Sequence, residues 1–286
     1  MVLIAHPLFL NLEPETVIWR YFELWKFRSL IEDSALYFRR SDLLTQIDRM
    51  EGARTSRMEE FFDQTLFTSK FVKRLKQAGV TSFGTKTQID ERSVSAIRDE
   101  LRKRARDHYH YILQRNYINC WHINSEENSL MWNQYVPTKF GVAIRSTIAK
   151  LRDAMSNTVA EVYFVPVEYV SHNSVPLRTD RIPGGMSQIV FDMLAKKRIG
   201  FSGERELRLI TDTLPFAEKW APNLVGSHLD TSINNNIEFT NIKLDVTTLI
   251  DAIVLLPQSG PDLRSKLEDI LQGTSLYERV TNSALD

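Results

Sequence analysis

Short segments rich in β-branched and aromatic residues alternate with amphipathic segments along this 286-residue chain. The composition and spacing predict strands at 16–21, 117–122, 140–145 and 204–211, with helices between several of them. We expect these strands to join one mixed sheet that is flanked by helices. The sequence therefore predicts a single α+β domain covering residues 1–286.

Other segments complete the predicted order of elements. Pro166 lies inside a further strand candidate at 160–170, and a proline there indicates a sheet edge or a bulge. Residues 221–236, which include three consecutive asparagines, are expected to form a mobile surface loop. The remaining predicted elements are helices at 23–33, 129–135, 186–196 and 262–272 and strands at 35–40, 237–244 and 250–256.

The segment 57–115 differs from its surroundings. Apolar residues keep helical spacing over 57–77 and again over 93–115, and a link rich in Gly, Thr and Ser joins the two stretches at 81–87. We interpret 57–115 as a helical insertion that protrudes from the sheet domain. A basic run at 98–106 is either a phosphate-binding patch or a solvated helix face.

Composition excludes several classes of protein. Lys plus Arg and Asp plus Glu are both 36, so binding to nucleic acid through bulk positive charge is not supported. The single cysteine, Cys120, cannot form an intramolecular disulfide, which indicates a reducing compartment. The stretch 1–12 is the longest without charge and is too short to span a bilayer. We expect a cytoplasmic protein without a membrane partner.

The stretch around 204–210 carries the first candidate site. On a strand, Glu204, Glu206 and Arg208 share one face. Neighbouring carboxylates raise the pKa of one another and an arginine lowers it, so this row suits a general base or a group that holds a sugar hydroxyl. The alternative is a solvated sheet face with cross-strand ion pairs. In the functional interpretation Glu206 is a partly hydrated cleft carboxylate.

The predicted helix at 129–135 carries the second candidate. Its spacing places Trp132 and Tyr135 on one stripe, which belongs either to the core or to a platform on which a base or nicotinamide ring stacks. No metal site is predicted, because His108 and His110 point to different faces and Cys120 and His122 have no second pair of ligands. Phosphate-binding loops of the usual kinds and a Gly-x-Ser-x-Gly elbow are absent from the sequence.

The order of short motifs over nearly the whole chain resembles a widespread bacterial and phage family of unknown function. That family has a basic residue plus Tyr near the start, an Asp-Pro-Phe-Glu loop, a Met-Trp-x-x-Tyr motif and a Glu-x-Glu-x-Arg-Leu strand. One departure is that Arg49-Met50 replaces the family's Pro-Phe. The matching segments here are Trp19-Arg-Tyr21, Asp48-Arg-Met-Glu-Gly52, Met131-Trp-Asn-Gln-Tyr135 and Glu204-Arg-Glu-Leu-Arg-Leu-Ile210.

The same order is similar to that of ADP-ribosyltransferases, which have a split mixed sheet. The resemblance implies that NAD is bound and that Arg20, then Tyr135 or Ser41, then Glu206 fill the three conserved roles of those enzymes. Arg20 would contact the NAD phosphates, an aromatic residue would stack on nicotinamide, and Glu206 would hold the ribose 2′-hydroxyl. The resemblance further assigns Glu204 to deprotonation of the acceptor. It groups Tyr21, Trp132 and Arg208 with the NAD-binding residues.

A second hypothesis is a non-catalytic or nucleic-acid-directed interaction module, of the kind found in phage defence or in toxins. Its contact surface would be the 57–115 helices, and the Glu-x-Glu-x-Arg row would be a structural ladder of ion pairs. The two hypotheses differ in geometry. The enzyme needs Arg20, Tyr135 and Glu206 around one cleft, whereas the interaction module allows them to be scattered or buried.

Overall fold

The computed structural model describes residues 12–46, 113–171, 194–212 and 236–286, together with 4–5 and scattered positions between 70 and 110. The strands are β1 (Ile4–Ala5), β2 (Val17–Glu23), β3 (Ala35–Arg40), β4 (Ser82–Phe83), β5 (Thr87–Gln88), β6 (Tyr117–Ile123), β7 (Gly141–Thr147), β8 (Tyr163–Pro166), β9 (Glu168–Val170), β10 (Lys196–Arg198), β11 (Glu206–Thr211), β12 (Phe239–Lys243), β13 (Ala252–Leu255) and β14 (Val280–Thr281). The helices are α1 (Leu24–Asp33), α2 (Ser129–Tyr135), α3 (Ile148–Ala154), α4 (Val246–Leu249) and α5 (Pro261–Leu271), and 3-10 helices cover Ser41–Gln46, Ile199–Glu204 and Ser275–Arg279.

Ten of the described strands form one mixed sheet. Eight of them follow the order β1-β8-β11-β6-β2-β7-β13-β14, while β3 pairs with both β6 and β12. The expected α+β fold on a single mixed sheet is therefore confirmed, with the four strands predicted around residues 16, 117, 140 and 204 all in it. Two small pairs, β9 with β10 and β4 with β5, lie outside this sheet.

The sheet splits at β6. One end of this strand pairs with β3 through Tyr117 and Ile118, and the other end pairs with β2 through His122 and Ile123. Between the two pairings a side chain links β6 to β3, because the Asn119 Nδ2 donates a hydrogen bond to the Tyr37 carbonyl at 2.8 Å. The other edge of β6 is paired with β11 along its whole length. A gap therefore opens between β2 and β3 on one side of β6.

Strand β2 shows how the two sheet faces are filled. Ile18 and Phe22 point to the larger apolar core, which also contains Phe27 and Leu30 of α1. The alternate residues Trp19 and Tyr21 point to the other face. There they pack with Met131, Trp132 and Val136 of the α2 region and with Ala143 and Val254. Burying each large apolar side chain stabilises the fold by about 1.5–3 kcal/mol relative to exposure.

Helix boundaries follow from local chemistry. Helix α1 begins directly after β2 and ends where Ser34 adopts a left-handed conformation with φ 45°, so that β3 can turn back at once. Helix α2 covers the range predicted for it, and the Asn128 side chain caps it by accepting from the Leu130 N–H at 2.8 Å. Helices α3 and α4 were not predicted from the sequence; each is short and follows a capping residue, Thr147 or Asp245.

The close approach of β7 to β2 depends on a glycine. A Cβ atom at Gly141 would lie 2.6 Å from the Phe22 carbonyl oxygen and would also overlap Val136. Only glycine fits here without a shift of backbone, and the approach brings the end of α2 against the sheet.

The structure corrects the predicted strand at 160–170, and several other predicted segments lie outside the described residues. The strand predicted at 160–170 is two strands, since the chain leaves the main sheet after Pro166 and β9 pairs with β10 instead. The helical insertion at 57–115 lies almost entirely outside the described residues, as do the loop at 221–235 and most of the helix at 186–196. In the part of the chain that the structure describes, every helix is too short or too polar to cross a membrane.

Candidate functional site

A cavity of 420 Å³ lies at the gap in the sheet. Five residues singled out from the sequence line it: Arg20, Tyr21, Tyr135, Glu204 and Glu206. Further lining residues with polar or aromatic side chains are Trp25, Lys26, Tyr37, Arg39, Asn119, Cys120 and His122. The strands and helices that meet here are β2, α1, β3, β6, α2 and the start of β11, which come from three separate regions of the sequence, 17–40, 117–135 and 204–206. The size is typical of cavities that bind small molecules.

A buried carboxylate, Glu206, forms the acidic wall of the cavity. Arg208 holds it in a bidentate contact, with Nε to Oε1 and Nη2 to Oε2 both at 3.0 Å, and Lys197 Nζ lies 3.5 Å from Oε2. Burial alone would raise the pKa of Glu206, but these two cations outweigh it and lower the pKa to about 2. The group is therefore an anion at any physiological pH. Its side chain is only 5% exposed, so the expectation of a partly hydrated carboxylate is wrong.

Glu204 lies beside Glu206 but is not on the same strand. It ends the 3-10 helix Ile199–Glu204, and Arg205 then adopts a left-handed conformation with φ 39° before β11 begins at Glu206. The expectation that 204–211 is one strand with Glu204, Glu206 and Arg208 in a row is thus wrong at its first residue. Gly200 and Gly203 are the sequence signals for this irregular start.

The two carboxylates share one cation. Glu204 Oε2 accepts from Lys197 Nζ at 2.6 Å, and its Oε1 accepts from Gln134 Nε2 of α2 at 3.2 Å. Lys197 itself is 8% exposed and its Nζ also lies 5.0 Å from the ring centre of Phe201. Among the described residues each Glu204 oxygen therefore has one donor, and a carboxylate oxygen can accept a second hydrogen bond from a ligand.

Arg20 brings positive charge to the cavity. Its guanidinium carbon lies 5.1 Å from the ring centre of Phe22 and 6.0 Å from that of Trp121, so aromatic faces hold it. Burial lowers the pKa of Arg20 to about 10, which leaves the group cationic at neutral pH. No carboxylate or carbonyl among the described residues accepts a hydrogen bond from it. An arginine that is half-buried, charged and open to a cavity is suited to an anionic ligand.

Cys120 connects the acidic wall with Arg20. It stands on β6 directly opposite Arg208 of β11, and its thiol hydrogen-bonds to Glu206. It also lies close enough to Arg20 to raise the pKa of that guanidinium, which partly offsets the effect of burial. Neither Cys120 nor Lys197 was assigned to the site from the sequence. Strand alternation could have identified Cys120, because it lies two residues before His122 on the same face of β6 and both residues line the cavity.

His122 hydrogen-bonds both to the segment that leads into β11 and to the residue that caps α2. Its Nδ1 lies 2.6 Å from the Glu204 carbonyl oxygen, and because a carbonyl only accepts, Nδ1 carries the proton. Nε2 accepts from the Asn128 amide at 3.5 Å. Burial lowers the pKa of His122, so the ring is neutral at pH 7 and fixes the orientation of its neighbours.

The aromatic residues take two different places. Tyr135 is 40% exposed and lines the cavity, whereas Trp132 is 3% exposed and packs edge-to-face on Tyr21 at 4.9 Å. The indole N–H of Trp132 donates to Glu127 at 3.0 Å, and the same carboxylate accepts from Ser283 near the end of the chain. Trp132 therefore supports the wall from behind.

Arg208 and Ser41 also lie away from the cavity surface. Arg208 is 1% exposed and acts on the site through Glu206. The Ser41 hydroxyl is buried and donates to the Leu113 carbonyl at 2.7 Å, which is a structural bond between the end of β3 and the segment before β6. Of the two residues considered for the middle role, the structure places Tyr135 at the cavity.

Groups of three or more His, Cys, Asp and Glu side chains that could hold a metal ion are absent from the described residues. Comparisons with protein-family models, with curated proteins and with solved structures found no match. The resemblances drawn from the order of motifs therefore stay predictions.

Proposed function

We propose that this chain is an ADP-ribosyltransferase-like enzyme that uses NAD as its substrate and that the 420 Å³ cavity is its active site. One observation carries the proposal. Arg20, Tyr135 and Glu206, which come from three distant parts of the sequence, line the same cavity. The interaction-module hypothesis does not require this arrangement.

Arg20 binds the pyrophosphate in this proposal. A guanidinium donates two parallel hydrogen bonds to a phosphate, and such charge-assisted bonds are about twice as strong as neutral ones. The aromatic faces of Phe22 and Trp121 hold the group without using up its N–H donors. Arg20 can therefore turn its donors to the ligand without first breaking an ion pair within the described residues.

Glu206 stabilises the positive charge that develops when the nicotinamide bond breaks. Its pKa of about 2 keeps it ionised, so it acts as a fixed anion and not as an acid or a base. The bond between nicotinamide and ribose C1′ breaks with its electron pair going to nicotinamide, which leaves as a neutral molecule. The acceptor forms the new bond to C1′, and its proton passes to Glu204.

The test is release of nicotinamide and transfer of label from NAD to a mixed pool of protein and RNA acceptors. We expect turnover in the parent protein and a loss of about a hundredfold or more in Glu206→Gln, measured per folded molecule. Glu278→Gln, at an exposed position away from the cavity, is the matched control and should keep the parent rate.

Two results would count against the proposal in different ways. Absence of turnover across the acceptor pool, together with no stabilisation of the fold by NAD, would favour the interaction module. Turnover that Glu206→Gln leaves unchanged would move the chemistry to another part of the cavity.

A further inference from the structure

Two exposed aromatic residues line the cavity at the end opposite to the carboxylates. Trp25, in the first turn of α1, is 65% exposed, and Tyr37 of β3 is 45% exposed. The Tyr37 ring stacks on Phe239 at 5.0 Å with an angle of 25° between the planes, which holds it in one orientation. Large exposed aromatic rings at the mouth of a cavity expose apolar area to water, and a bound planar ligand would cover it.

Strand β6 sets the distance between the two ends. Glu206 of β11 stands opposite His122, and Asn119 donates to the Tyr37 carbonyl. These positions on β6 are three residues apart, so the two ends are separated by about 10 Å along the strand. Cys120 and the neighbouring Arg20 lie between them.

The chemistry of the cavity changes along this length. Glu204 and Glu206 make one end anionic, and Arg20 is the cation nearest to Cys120 of β6. Trp25 and Tyr37 present aromatic rings at the other end, where Lys26 and Arg39 add positive charge and the Lys26 ammonium lies 5.2 Å from the ring centre of Trp25. NAD has a matching order, since its nicotinamide ring is cationic, its pyrophosphate is anionic and its adenine is a neutral aromatic ring. Each part meets the group that favours it in only one of the two orientations.

We infer that Trp25 and Tyr37 form a stacking subsite for the adenine ring of an adenosine diphosphate moiety, with the phosphates on Arg20. The inference rests on the proposed function for the identity of the whole substrate, but the subsite itself needs only an adenine nucleotide. Adenine stacks on aromatic side chains through its π face, and loss of one such contact weakens binding by about fivefold to more than a hundredfold.

The test is titration calorimetry of the full chain with two separate probes, adenosine diphosphate and nicotinamide mononucleotide. We expect Trp25→Ala to weaken binding of adenosine diphosphate by about tenfold or more and to change binding of nicotinamide mononucleotide by less than twofold. Trp25→Phe should recover most of the affinity, because a phenyl ring also stacks. Tyr277→Ala removes an aromatic ring of 38% exposure away from the cavity and should change neither affinity.

The outcomes separate the subsite from the enzyme. If Trp25→Ala changes adenosine diphosphate binding less than twofold, or weakens both probes equally, the adenine subsite is refuted even if NAD is consumed. If the parent binds neither probe, both proposals fail. If adenosine diphosphate binds in a Trp25-dependent way and NAD is not consumed, the subsite stands and the transferase proposal fails.

Discussion

Replacement of Glu206 by Gln tests the buried charge network most directly. The substitution keeps the size of the side chain and removes its negative charge. Arg208, which is 1% exposed and donates twice to Glu206, would then lose both of its charge-assisted hydrogen bonds to that carboxylate. Lys197 would keep Glu204 at 2.6 Å. Most of the loss in folding stability should therefore come from the interactions that Arg208 loses.

Two lines of reasoning give the size of the effect. A pKa lowered from 4.5 to about 2 corresponds to about 3 kcal/mol in favour of the ionised carboxylate. Removal of one partner from a buried ion pair generally costs about 3–5 kcal/mol. We expect Glu206→Gln to lower the free energy of unfolding by about 3 kcal/mol at pH 7.

The effect depends on pH with a definite sign. The pKa of Glu206 is lower in the folded protein than in the unfolded chain, so the carboxylate stabilises the fold above the unfolded value of 4.5. This stabilisation is lost as the pH falls from about 4.5 towards 2. The difference in stability between the parent and Glu206→Gln should therefore shrink over that range.

Urea denaturation at pH 7 and at a series of lower pH values measures this difference. Leu207→Ala, on the opposite face of β11 and fully buried, should cost about 2–5 kcal/mol with no such pH dependence and serves as the control. Adding Arg208→Met to Glu206→Gln should recover part of the loss, because it removes the buried cation that has lost its interaction with the Glu206 charge. A loss below about 1 kcal/mol at pH 7, or a difference that does not shrink in acid, would refute the reasoning.

Three further predictions concern the cavity and the sheet. Arg20→Met should change the free energy of unfolding by less than about 1 kcal/mol, since only cation–π contacts are lost, while calorimetry should show loss of NAD binding. Gly141→Ala should destabilise the fold by about 1–3 kcal/mol or more in urea denaturation through overlap with Val136, whereas Gly200→Ala, with open space around it, should change stability little. Alkylation of Cys120, the single cysteine of the chain, should become slower when NAD is added, because Cys120 lines the cavity. Mass spectrometry measures the rate. Equal rates with and without NAD would place the ligand elsewhere.

Local patterns in the sequence predicted most of the secondary structure. The strand at β3, the helix at α2 and the closing helix α5 follow from residue type and spacing, because period-2 and period-3.6 patterns are properties of neighbouring residues. Helices α3 and α4 were missed; α4 has four residues, which are too few to establish a period, and α3 follows β7 directly, with Thr147 both ending the strand and capping the helix. The break after Pro166 was indicated by the proline, but its consequence, a change of pairing partner, was not.

The candidate site was predicted in part. Arg20, Tyr135, Glu204 and Glu206 were singled out, yet Trp25, Tyr37, Lys197 and Cys120 were not. An exposed aromatic residue at the start of a helix has no pattern that distinguishes it from an ordinary surface residue. Lys197 begins the motif that leads to Glu204, Glu206 and Arg208, but nothing local indicates that its ammonium group is buried between two carboxylates.

The sequence by itself determined most of the described strands and the longer helices, that the four main predicted strands share one sheet, and which charged and aromatic residues are candidates for a site. Tertiary structure alone decided where those residues lie and what they contact. The split at β6 depends on the pairing of one strand with two partners about 80 and 100 residues away, and the Asn119 side chain extends the link between β6 and β3. The contact of Arg208 with Glu206 lies within β11, between residues two apart, and follows from strand alternation. The pairing of β6, in contrast, opens the cavity at which Arg20, Tyr135 and Glu206 meet, with Trp132 behind its wall. The physical reason is that the burial of a side chain and the lining of a cavity depend on distances between segments remote in the chain, which no local pattern encodes.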